Sequence, residues 1–437
     1  MSIAILNWKF QEFPIHTKLI KFCVLGEFLM RRSTISRLRP AQISRPGPAV
    51  LFTQPAELLG SARTLMHEGH YLQAVKKLQS LLDEFPYHPP ALCLLIKAAQ
   101  KVDCFDVAER YVYAFEERYP EPNQQICAHL IDAYSRLGRS EDAEDVFKFA
   151  GDKSGASVHV VAARIRSLGA FNDIPKTFGL FHCAKKRELN PSIIYPALIF
   201  ALESVFKLNS SCEKHLREAH REFSDAVLRG VKLPAMFESL MRMYCEVQRF
   251  SEAKTLLDQA IVLEVARDKT CIVLFSALYD SSRYQDIIDG VETLPPLLRN
   301  LTEIQFRRAD ALRKTRQYVE ARQVLSEIER RGVSESEYYK LRIIDLYILD
   351  NSGEHVRAFN LFRLLLERIP PTSRHLPRAI CGFVFCWKNN SSDRTLVDPV
   401  EARLLVRQLD LWLNQYSNNM RRDIVHAKAI LREAYPE

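Results

Sequence analysis

Residues 67–70, His-Glu-Gly-His, bring two imidazoles and a carboxylate together, the ingredients of a zinc site with a general base. The spacing defeats that chemistry. The usual zinc pair sits in HExxH on one helix face, and HExH is one residue short. His182 and Cys183 are adjacent and so point to different faces of any helix that carries them. Ten cysteines stand at 23, 93, 104, 127, 183, 212, 245, 271, 381 and 386 without a CxxC pair, and the closest spacing, Cys381 to Cys386, is a poor zinc pattern. No GxGxxG, GxxxxGK[ST] or GxSxG occurs. Catalysis, a metal and a cofactor are therefore not expected. Most of the cysteines fall inside apolar helical patterns, where a free thiol behaves as a small hydrophobe. Their scatter suits a reducing, cytoplasmic setting.

With chemistry set aside, the elements that carry these residues come into view. The chain has 437 residues, 47% apolar and 26% charged, the balance of a soluble globular protein. Its 14 glycines and 21 prolines are too few for a turn-rich β-sandwich. The formal charge is +8, but residues 1–56 hold eight Lys/Arg against Glu12 and Glu27, so the rest is nearly neutral. A neutral body does not favour nucleic acid as the default partner. The longest apolar run, Ile193–Leu202, is ten residues and contains Pro196, about half of what spans a bilayer. Segment 1–56 reads as a basic flexible extension. From Phe28 to Ala56 it lacks acids, and Arg31, Arg32, Arg37, Arg39 and Arg45 alternate with serines. That composition also suits a mitochondrial or other organellar presequence beginning near Met30.

The body is periodic. AVKKLQSLLDEFP (Ala74 to Pro86), AERYVYAFEERYP (Ala108 to Pro120) and AFNLFRLLLERIP (Ala358 to Pro370) share one Ala-to-Pro spacing. Related alanines stand at Ala143, Ala219, Ala253 and Ala321, with Ile174 and Ile287 in two further slots, mostly 34 or 35 residues apart. An aromatic precedes many slots, as at Tyr71, Phe105, Phe250 and Tyr318, and Gly69 and Gly138 suit a left-handed helix end. A small residue lets two antiparallel helices approach, and proline stops the second helix. A lone hairpin of this kind cannot bury its apolar face, but stacked neighbours can.

This pattern resembles the tetratricopeptide repeat family over about Pro55 to Pro371, with some pentatricopeptide-like units. The resemblance implies an all-α fold: a right-handed α-solenoid of about nine stacked helix–turn–helix repeats over 57–371. A C-terminal helical repeat and cap follow over 372–437, with a polar loop at 388–398 and an insertion near Leu208–Cys212. In that family the first helix of each repeat lines the concave groove. By register the groove then carries Arg63, Met66, Lys97, Lys101, Arg136 and Arg166, with Asp132 as the main exception. Further along it carries Glu238, Arg242 and Glu246, then Lys269, Tyr279 and Asp280, then Glu303, Phe306, Asp310 and Arg313. The expected function is a scaffold or adaptor whose groove takes an acidic peptide or a free carboxyl terminus. The chaperone-tail clamp of some relatives is absent, since its slots hold Leu59, Arg63, Leu94, Gln125 and His129. The alternative is an organellar pentatricopeptide-like protein that binds single-stranded RNA. Its base-selecting slots here hold Ala128, Pro196 and Glu238, two of which offer no side-chain hydrogen bond.

Overall fold

The computed structural model describes residues 54–151, 155–208, 213–370, 373–389, 397, 399–412 and 418–435. The basic tail up to residue 53, insertion residues 209–212 and loop residues 390–396 and 398 lie outside the described residues. Among the described residues all regular structure is helical, and Leu58–Glu437 forms one compact unit.

Helices follow one another as antiparallel pairs. They are α1 (Gln54–His67) with α2 (Tyr71–Glu84), α3 (Pro89–Ala99) with α4 (Phe105–Arg118), and α5 (Gln124–Arg136) with α6 (Ser140–Gly151). Next come α7 (Val158–Ala170) with α8 (Ile174–Lys186), α9 (Pro191–Leu208) with α10 (Glu213–Leu228), and α11 (Pro234–Glu246) with α12 (Phe250–Val262). The pair α13 (Asp268–Asp280) and α14 (Tyr284–Thr293) is followed by one inserted turn, α15 (Pro296–Arg299). The array continues with α16 (Thr302–Lys314) and α17 (Tyr318–Arg330), α18 (Glu335–Asn351) and α19 (His355–Arg368), then α20 (Leu376–Asn389) and α21 (Pro399–Trp412). Helix α22 (Asn418–Ala434) lies against α20 and α21 and ends the described chain.

From α3 onward each first helix touches the first helix of the next pair, whereas consecutive second helices make no equivalent contact. The first helices are therefore the tighter layer and form the inner wall of the solenoid. Small side chains on the second helices let each pack closely within its hairpin. Ala74, Ala108, Ala143, Ala219, Ala253, Ala321 and Ala358 are all fully buried. At Gly169 of α7 an added Cβ would lie 2.5 Å from the Ala201 Cα on α9, so only glycine permits that crossing. Helix α9 alone among the described helices has the length and apolarity to cross a membrane. Here it is a core helix, enclosed by α7, α8, α10 and α11 and tied to α11 through Glu203 and Arg242.

Two expectations change. Ile174 is half-buried at the first position of α8, where other repeats carry their aromatic, and Thr177 is the fully buried residue of the small slot. Taking Thr177 restores a 34-residue step from Ala143. Threonine is tolerated because its hydroxyl bonds back to the Asp173 carbonyl at 2.8 Å. Lys388 and Asn389 belong to α20, not to the polar loop. The buried Trp387 carries that helix further, and Asn389 Nδ2 is 3.3 Å from the Asp350 carboxylate.

The described turns within the hairpins share a backbone signature. Gly69, Asp103, Gly138, Asn172, Gln248, Ser282, Arg316 and Gly353 all have positive φ at the same register. At Gln248 the closing bonds are Gln248 N–H to the Cys245 carbonyl and Arg249 N–H to the Tyr244 carbonyl, at 3.0 and 2.9 Å. A Cβ in this conformation costs about 1 kcal/mol, so Gln248→Gly is expected to raise stability by about 0.5–1 kcal/mol. Urea unfolding measures it, and a destabilised variant would contradict the backbone assignment.

Candidate binding groove

The groove is built by the last two turns of three successive first helices. Arg63, Met66 and His67 come from α1, Leu94 and Lys97 from α3 with Gln100 and Lys101 just beyond it, and His129, Asp132 and Arg136 from α5. Tyr71 of α2 completes a groove of about 550 Å³. These helices present polar residues here because their opposite faces are spent on the core: Ala98 and Ala99 of α3, and Ile126, Leu130 and Ala133 of α5, are buried.

Five of the six residues expected from register line this groove: Arg63, Met66, Lys97, Lys101 and Arg136. Arg63, Lys97, Lys101 and Arg136 are exposed, and none of the four forms an ion pair among the described residues. The sixth, Arg166 on α7, is committed elsewhere. Its guanidinium forks onto Asp132, Nε to Oδ1 at 3.1 Å and Nη2 to Oδ2 at 2.7 Å. Among the described residues the groove's one carboxylate is thus already neutralised, and the four cations meet no counter-charge. His129 adds no charge near neutral pH, because burial and the adjacent Lys97 hold its imidazole down at about 4. His67, Tyr71 and Gln100 were not expected on this wall, whereas Leu94 and His129 stand at clamp slots named from the sequence. For His67 the signal existed, since it shares its register slot with Lys101 and Arg136.

The later wall is closed on itself. Phe306, Asp310 and Arg313 of α16 are buried, not open to the groove as expected. Asp310 accepts from Arg313 Nε at 2.8 Å and from Arg378 Nη2 of α20 at 2.6 Å, and Arg313 lies over the Tyr347 ring. These two guanidinium groups, outweighing burial, hold the Asp310 carboxyl well below the usual carboxylate range. Lys340 reaches Glu303 at 2.5 Å, and burial lowers its ammonium to about 8. Glu238 is buried with Lys269 3.7 Å away, and Arg242 pairs with Glu203 at 2.7 Å. Ion pairs within the chain use up Glu238, Arg242, Lys269, Glu303, Asp310 and Arg313, whereas Glu246 is exposed.

Nothing near the early motifs assembles a reactive centre. His67 and His70 are both exposed, one in the groove and one capping α2. Among the described residues no three His, Cys, Asp or Glu side chains gather where they could hold a metal. Burial pushes the thiols of Cys93, Cys127, Cys245 and Cys271 up to between about 11 and about 12, which suppresses the thiolate.

The model for the pentatricopeptide (PPR) repeat matches residues 127–149, the hairpin of α5 and α6. The stacked helical hairpins are consistent with an array of tetratricopeptide-like repeats with pentatricopeptide-like units among them. No curated protein matches it. Solved structures with similar helical arrays include yeast Tom70, at 13% identity and TM-score 0.34, covering 87% of this chain and 96% of that one. The pentatricopeptide protein PPR10, known from maize, is similar in its complex with an 18-nucleotide psaJ RNA element. That likeness has 14% identity and TM-score 0.42, covering 90% of this chain and 64% of PPR10. Cut9 with Hcn1, from the APC/C, is similar at 10% identity and TM-score 0.31, covering 87% and 88%. The repeat-solenoid fold is typical both of protein-binding scaffolds and of RNA-binding pentatricopeptide proteins, and the fold does not choose between them. The base-selecting slots of the second type fare poorly in this array. Ala128 and Pro196 are buried, and Glu238 is buried against Thr270 and Lys269.

Proposed function

We propose that the protein is a non-catalytic scaffold or adaptor that holds a partner protein by an acidic segment or free carboxyl terminus in the α1–α5 groove. One observation carries this reading: Arg63, Lys97, Lys101 and Arg136 line a single groove while its only carboxylate is taken by Arg166. Unpaired cations on a preformed wall bind carboxylates through charge-assisted hydrogen bonds with little reorganisation. Lysine and arginine at the ends of the first helices also sit at negative dipole termini. The dipole favours a cation at that end, and all four side chains are exposed to a ligand. A reducing, cytoplasmic setting accords with the scattered unpaired cysteines.

The match over residues 127–149 favours a second reading, single-stranded RNA binding, in which the same cations would meet phosphates. A Glu-rich twelve-residue peptide, its Gln-substituted counterpart and a uridine oligonucleotide separate the two by fluorescence anisotropy at physiological salt. The acidic peptide is expected to bind at least tenfold tighter than both others. Preference for the oligonucleotide, with steep loss on adding salt, would transfer the function to RNA.

A further inference from the structure

The cations of the groove form two parallel rows, and their geometry specifies how a partner's acids must be spaced. Register aligns Arg63 of α1 with Lys97 of α3, and four residues further along it aligns His67, Lys101 and Arg136. The rows are one helical turn apart, roughly 6 Å. Along each row the step from α3 to α5, which pack directly, is about 8–10 Å, and α1, which lines the same groove, is taken to continue it. The first row ends where Asp132 stands in the next slot, and there Arg166 of α7 closes it. The second row ends at Arg136, because the next slot is Ala170. The track thus covers three repeats and stops on both rows before α7.

Few peptide conformations repeat at that step. A β-strand returns a side chain to the same face every two residues, about 6.6–6.8 Å, too short by about a quarter. A polyproline II segment has three residues per turn at 3.1 Å each, so residues i, i+3 and i+6 share one face about 9 Å apart. Like charges along a chain also favour such extended conformations. An α-helix returns to one face at i+3 or i+4, about 5–6 Å and too short, and next at i+7, about 10.5 Å, which spreads three acids over fifteen positions.

Resting on the proposed function, we infer that the α1–α5 groove selects an acidic segment in polyproline II conformation with a carboxylate at every third residue. One acid faces each of three successive repeats. The middle acid lies against Lys97 and Lys101, the only pair of cations one turn apart on a single segment, and the outer two against Arg63 and Arg136.

Four synthetic peptides of identical composition, each with three glutamates, test this against the full chain by isothermal titration. Their glutamates stand three apart, two apart, contiguous, and seven apart in a helix-stabilised frame. The three-apart peptide is expected to bind at least tenfold tighter than the others. Removing its middle glutamate should weaken wild type strongly but the Lys97→Ala/Lys101→Ala variant hardly at all, which places the register. Equal affinities within twofold would overturn the spacing while leaving the acidic-partner reading standing. Preference for the seven-apart peptide would replace the extended ligand by a helix and overturn the inference too. If none of the four binds, the proposed function falls with it.

Discussion

The triple variant Lys97→Glu/Lys101→Glu/Arg136→Glu is expected to lose affinity for an acidic peptide by at least 100-fold, about 2.8 kcal/mol. Reversal does more than remove attraction. It sets three carboxylates against the ligand's own, and like-charge juxtaposition at an interface costs several kcal/mol. The three side chains are exposed and make no ion pair among the described residues, so the fold should be indifferent. Surface substitutions of that kind usually stay within about 0.5 kcal/mol. Circular dichroism and the unfolding midpoint serve as controls, and anisotropy gives the affinity. If the variant folds normally and binds within threefold of wild type, the groove is not the partner site. Arg166→Glu makes a useful contrast. It breaks the fork onto Asp132 and adds a charge outside the track, so its effect on binding should be several-fold smaller.

Asp310→Ala is expected to destabilise the protein by about 3–5 kcal/mol, because it leaves buried guanidinium charge without compensation. The Arg313 side chain is 5% exposed and Arg378 29%, and both donate to this one carboxylate. The pair also crosses the array. Arg378 belongs to α20 and Asp310 to α16, two first helices apart, with α18 between them. In a solenoid, stability is ordinarily a sum of nearest-neighbour interfaces, so this bond ties the last repeats more tightly than their stacking alone. Urea unfolding gives the size of the effect, and hydrogen exchange should show loss of protection in α16 to α20 before the rest. A change below 1 kcal/mol would mean that solvent already compensates the arginines. The pH dependence follows in sign. The folded-state pKa is depressed, so the stabilisation is fully present above the unfolded carboxyl value near 4 and is lost only as pH falls through the lower folded value. Near-neutral pH should leave it untouched, and acid unfolding should be displaced to lower pH than in Asp310→Ala.

The composition of each repeat determined the hairpin. Alanine at 74, 108 and 143, the aromatics Tyr71 and Phe105 three residues before the first two, and glycine at 69 and 138 are local requirements of close helices and left-handed turns, so a single chain reading can find them. Where local chemistry had two solutions, reading failed. Ile174 was taken for a slot that Thr177 fills, because a threonine hydroxyl satisfied within its own helix looks polar in sequence and behaves as small in the core. The groove's cations could be assigned to a wall by register, since helix periodicity decides which face a side chain shares.

Which charges remain free was decided only by the tertiary structure. Arg136 and Arg166 are alike in sequence, yet Arg166 is held by Asp132 on the preceding first helix while Arg136 meets no carboxylate among the described residues. Asp310 read as a ligand-facing acid until Arg378, 68 residues away, proved to be its partner. Pairing depends on the distance between side chains on different helices. The angle and separation of packed helices set that distance, and no local stretch of sequence encodes it.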